Sequence, residues 1–159
     1  MVLSNRTFAQ LAAAPLALSL AAMVFASPAM GALGGDTSSV QTDRTRLAAR
    51  LNSALSGECT IHTLTLPNGV ASEYARADGL IFAVTWHGPA RANLRQLLGG
   101  YFDTFQSDNA VAGGRRPRRA PSVNRADFVV RTGGHSGAFW GVAVLPQAAP
   151  SGCTVNPLQ

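Results

Sequence analysis

Thr60-Ile61-His62-Thr63-Leu64-Thr65-Leu66-Pro67-Asn68-Gly69-Val70-Ala71-Ser72-Glu73-Tyr74-Ala75-Arg76-Ala77-Asp78-Gly79-Leu80-Ile81-Phe82-Ala83-Val84-Thr85-Trp86 is the stretch that decides the fold. Thr60 to Leu66 is rich in β-branched residues and alternates, so that His62, Leu64 and Leu66 share one face of a strand. Pro67-Asn68-Gly69 is a turn with a mechanism: proline presets φ, and asparagine and glycine tolerate positive φ. Val70 to Arg76 runs back, and Asp78-Gly79 turns the chain again. Leu80 to Trp86 is almost wholly apolar, the mark of a central strand, and His87-Gly88-Pro89 stops it. Three strands joined by tight turns make an antiparallel meander.

A sheet with one apolar face needs a cover. Leu94, Leu97, Leu98, Tyr101, Phe102 and Phe105 recur at the helical period over three turns. Gly99-Gly100 costs that helix about 1 kcal/mol per glycine relative to alanine, so a bend is expected there. Upstream, Leu33-Gly34-Gly35 is a flexible start, Asp36-Thr37-Ser38-Ser39 offers capping chemistry, and Val40 to Leu55 reads as a helix ended by Gly57. Downstream, the pattern is lost from Gln106 to Ser122. It returns as strands at Asp127 to Arg131 and Ala138 to Leu145, the latter with Phe139 and Trp140 on opposite faces. The expected architecture is α+β: a small antiparallel sheet of about five strands, an amphipathic helix covering it, and an N-terminal helix. The segments are 1–31, a signal peptide; 32–57, a flexible start and helix; 58–146, one α+β domain with a disordered basic loop near 107–122; and 147–159, a tail.

With 159 residues the chain is too short for a scaffold such as the (β/α)₈ barrel, which takes about 250. Met1 to Gly31 reads as a secretory signal peptide: Arg6 precedes an uncharged apolar run from Leu11 to Ala26, and small residues follow. Cleavage fits after Gly31 or after Ala29. The apolar run is short of the about 20 residues a spanning helix needs and is interrupted by Pro15; no later stretch is long enough to span. The product is expected in the periplasm or secreted.

The formal charge of +5 comes from 13 arginines, with no lysine, against 8 acids. Without Arg6 and the four arginines of the Gly113–Pro121 loop, the remainder carries 8 arginines and 8 acids. A basic protein thus resolves into a neutral domain with one basic loop. Arg115, Arg116, Arg118 and Arg119 are candidates for binding anionic envelope polymers, weighed against a solvated loop. No aromatic residue neighbours them for base stacking, so nucleic acid is not the expected partner.

Cys59 and Cys153 form an even pair that suits a disulfide in an oxidising compartment, and two unpaired thiols remain the alternative. Gly134-His135-Ser136-Gly137-Ala138 imitates a nucleophile elbow, but a β-rich run follows it and no histidine comes after Ser136; a hairpin turn is the expected reading. His62, His87 and His135 are the only histidines and the weak candidates for a metal site, with Asp78, Glu73 or Asp127 available to complete it if the fold gathers them. No catalytic residue and no cofactor is indicated.

Six segments occur in an order that adds a family likeness: Ala32-Leu33-Gly34-Gly35, His62 to Gly69, Glu73-Tyr74, Phe82 to Pro89, Leu97 to Phe102, and Gly133-Gly134-His135. Together they resemble a family of small exported bacterial proteins known as domain of unknown function 2844. The resemblance spans nearly all of the chain after residue 31, and Ser136 departs from it where a methionine is expected. It implies export and brings no activity, cofactor or active site. The resulting expectation is a non-enzymatic accessory or interaction module with an envelope or secreted protein partner. A small periplasmic enzyme or metal-binding protein using His62, His87 and His135 is the alternative.

Overall fold

The turn chemistry of residues 60–86 produces the expected meander inside a larger sheet. The computed structural model describes residues 33–110 and 120–156; the expected signal peptide and Arg115, Arg116, Arg118 and Arg119 lie outside the described residues. Seven strands form one sheet: β1 (Arg50–Ser56), β2 (Cys59–Leu66), β3 (Gly69–Arg76), β4 (Ile81–Gly88), β5 (Val123–Asn124), β6 (Val129–His135) and β7 (Ala138–Val144). Their order is β1-β2-β3-β4-β7-β6-β5, and every neighbouring pair is antiparallel. Two meanders therefore meet along β4 and β7. The fold is α+β, with two more strands than expected.

The larger departure lies upstream of the meander. The helix expected over Val40–Leu55 ends early: α1 is Ser38–Arg46, and Ala48 at φ 49° breaks it. Leu47, Leu51 and Leu55 sit at helical spacing, but Leu51, Ser53 and Leu55 also fit a strand. Pairing decides, because residues 50–56 find seven partners on β2. Gly57 does not stop a helix; it turns a two-residue hairpin at φ 62°, where a Cβ would strike the carbonyl oxygen of Gly152. The 57/58 boundary thus falls inside a hairpin. At the N-terminus of α1 the N-cap residue Thr37 makes no side-chain cap bond; Asp36, one residue earlier, accepts from the Ser38 N–H at 2.8 Å, which holds its pKa below the usual value.

The amphipathic segment forms as α2 (Leu94–Leu98) and α3 (Phe102–Asn109), bent through a 3-10 turn at Gly99–Tyr101 as the glycine pair implies. The Asn93 side chain caps α2 by accepting from the Gln96 N–H. Leu97, Leu98 and Phe105 are buried from this segment, with Val40 of α1, against Leu64, Ala71, Val84, Trp86, Val130 and Ala143 of the sheet. Burying one such leucine is worth about 2 kcal/mol.

The opposite face is not bare. Cys59, Tyr74, Phe82 and Ala83 form a second cluster there, and Ala148, Cys153 and Val155 of the tail pack on it. The Cys59–Cys153 disulfide fixes the tail, with Cα atoms 5.8 Å apart, and the Tyr74 hydroxyl donates to the Asn156 carbonyl. Ser136-Gly137 is the β6–β7 hairpin turn, and Ser136 is exposed. Among the described residues no helix is long and apolar enough to cross a membrane.

Trp86 lies flat on the β7 backbone because its cross-strand neighbour is Gly141. A Cβ added at Gly141 would land on the indole ring. Gly141→Ala should therefore cost about 2–3 kcal/mol by overpacking, read as a lowered denaturant midpoint with an unchanged slope.

Candidate functional site

The end of the sheet where Trp86 sits carries a cleft of about 560 Å³. Its walls come from four places: Arg46 and Leu47 where α1 ends, the β2–β3 turn at Leu66–Val70, the end of β4, and the Ala90–Leu97 run into α2. The aliphatic lining and Trp86 make an apolar floor, while Arg46, Arg91 and Asn93 stand at the rim. A smaller cavity of about 100 Å³ shares Trp86, Arg91 and Ala92 with it and runs on to Phe139 and Trp140. Arg91 stands between the two, its guanidinium 4.9 Å from the centre of the Phe139 ring. Among the described residues the ion pairs are Arg76–Asp78 and Arg125–Asp108, and neither Arg46 nor Arg91 takes part in one.

Behind the wall formed by α1 and α2 lies a buried acid pair. Asp43 comes from α1 and Glu73 from β3, at 1% and 0% exposure. Gln96 donates to Asp43 Oδ1 at 3.1 Å, while Asp43 Oδ2 and both Glu73 oxygens have no donor when both groups are taken as carboxylates. One shared proton resolves this, with Glu73 as the acid that donates to Asp43. Burial and the Asp43 charge push the Glu73 pKa up to about 8, and burial also raises that of Asp43. Gln96 lines the cleft as well, so the acid pair is one side chain away from it.

The three histidines are not brought together. His62 is the cross-strand neighbour of Glu73; its Nδ1 lies 2.7 Å from Ser53 Oγ, its Nε2 is buried without a partner, and burial lowers its pKa. His87 closes β4 beside the cleft, and His135 is exposed at the far hairpin, bonded to its neighbour Ser136. Asp78 is held by Arg76 in the β3–β4 turn, and Asp127 is exposed. Among the described residues no three histidine, cysteine or acidic side chains form a group able to hold a metal. The two cysteines are joined to each other.

Arg46, Arg91 and Asp43 carry no local signal in the sequence that marks them. Glu73 did carry one: it shares a strand face with Ala71 and Ala75, where an acid among small residues marks a buried partner.

An antiparallel α+β domain with a cleft of about 560 Å³ at one end of its sheet and a disulfide-clamped tail is the class of protein these features define. The chain belongs to the family described as protein of unknown function (DUF2844), whose model matches residues 29–158. Neither the curated proteins nor the solved structures contain a match to it.

Proposed function

We propose that the chain acts outside the cytoplasm as a non-enzymatic binding module, holding in the Trp86 cleft a small ligand with an apolar body and an anionic head. The observation that carries this reading is the apolar cleft with two arginines at its rim, neither ion-paired among the described residues. Its volume lies in the range of about 300–1,000 Å³ usual for small-molecule sites. Trp86 and the aliphatic lining suit the body, and a guanidinium fork suits a carboxylate, sulfonate or phosphate. The disulfide supports the export part, since such bonds persist in oxidising compartments.

Anilinonaphthalene sulfonate, an aromatic body with one anionic group, is a suitable probe, and N-phenylnaphthylamine is its neutral counterpart. The double variant Arg46→Gln, Arg91→Gln should weaken the sulfonate about tenfold, or 1.4 kcal/mol, and leave the neutral probe unchanged. Equal affinity of wild type and variant for the sulfonate would remove the reading.

A further inference from the structure

The two edges of the sheet are not alike. At one end β5 is only two residues long, too short to template another strand. At the other, β1 runs for seven residues in unbroken register with β2 and is exposed along almost all its length. It has no proline, no bulge and a single charge, Arg50, at its start. Those are the devices that normally blunt an edge, and β1 lacks them. Leu55, 84% exposed, is the one large hydrophobic side chain left in solvent among the described residues.

We infer that β1 is the contact surface for a second copy of this chain, pairing antiparallel with its own counterpart about a two-fold axis at Ser53. The hairpin sets which groups are free. In a two-residue hairpin the closing pair, here Ser56 and Cys59, is hydrogen-bonded, so Ser56, Ala54, Asn52 and Arg50 spend their main-chain groups on β2. Leu51, Ser53 and Leu55 then point their N–H and C=O groups outward. A two-fold axis at Ser53 matches this set to itself: Ser53 meets Ser53, and Leu51 meets Leu55 on both sides of the axis. Every outward donor and acceptor of the three residues is paired. No other symmetric register does this with both leucines.

The side chains agree. Leu51, Ser53 and Leu55 lie on the helix-covered face, where Leu51 already packs against the core. The exposed Leu55 of each copy would lie beside Leu51 of the other and extend that core across the axis. Arg50 would face Ser56 of the second copy, with its Glu58 diagonally within reach, whereas a parallel pairing in equal register would set arginine against arginine. The resulting sheet is continuous through both molecules, and only the short β5 edges remain open.

Sedimentation of the protein isolated from cells expressing the full chain tests this. The wild type is expected as a concentration-dependent dimer. Ser53→Pro removes the outward N–H, at a place where an edge strand accepts proline, together with the hydroxyl contact to His62, and should weaken association about 100-fold or more. Ser53→Ala loses the same contact to His62 but keeps the N–H, and should remain dimeric. Ser53→Cys gives a second reading that does not depend on the folding yield of the proline variant. The two Cα atoms across the axis would be about 5.5 Å apart, within disulfide range, so a reductant-sensitive covalent dimer should form. A wild type that sediments as a monomer up to submillimolar concentration, a Ser53→Pro variant that stays dimeric, or a Ser53→Cys variant that does not cross-link each overturns the inference.

Discussion

Glu73→Gln should make the protein more stable at alkaline pH and flatten its stability between about pH 4.5 and 8. In the folded state the Glu73 carboxyl is pushed up from 4.5 to about 8 by burial and by the Asp43 charge. Between those values the folded protein keeps a proton that the unfolded chain has released. Folding then takes up a proton, so stability is full below the unfolded pKa and falls as pH rises through the folded one. At about 1.4 kcal/mol per pH unit the loss approaches about 5 kcal/mol at the top of the window. Glutamine removes this term, and its amide can still donate to Asp43 as the protonated acid does. Asp43 titrates with Glu73 as a pair, and burial raises its pKa too, a contribution that the variant retains. Thermal melts at pH 5, 7 and 9 check this. The wild type should lose melting temperature at each step, and the variant should exceed it at pH 9 by about 10 °C or more. Parallel curves would mean that Glu73 ionises normally and that the proton is not shared.

Converting both Cys59 and Cys153 to serine should destabilise the chain by about 3–5 kcal/mol. The bond closes a loop with a sequence separation of 94, and in the chain-entropy model loops of this size carry nearly the largest effect a single disulfide offers. Packing adds to it, because Cys59 is 2% exposed inside the cluster with Tyr74, Phe82 and Ala83. Losing the bond frees Ala148, Cys153 and Val155 from that face and opens apolar side chains to water. Denaturant unfolding should show a lower midpoint, and hydrogen exchange should rise first in residues 146–156. The wild type in reductant should approach the variant. A midpoint equal to that of the oxidised wild type would show that the tail holds by packing alone.

The central meander was legible because its determinants are local. Pro67-Asn68-Gly69 and Asp78-Gly79 turn the chain by their own conformational preferences, and the strands between them alternate or run apolar as their burial requires. The bend at Gly99-Gly100 and the apolar stripe of α2 and α3 were readable for the same reason. β1 reads as helix in the sequence because leucines four apart satisfy both periods, and only the pairing partner separates them. The tail on the second face was half legible: the cysteine pair marked the anchor, while Tyr74 and Phe82 gave no sign of what would cover them.

By itself the sequence determined an antiparallel meander, an amphipathic cover, a hairpin at Ser136-Gly137 and an even cysteine pair, all products of turn chemistry and periodicity over a few residues. The tertiary structure alone decided that β4 pairs with β7, that Asp43 meets Glu73 across about thirty residues of chain, and that Arg46 and Arg91 share one cleft with Trp86. Each of those depends on free energy gained between distant segments, through burial and backbone pairing summed over the whole sheet. No short window of residues carries that sum.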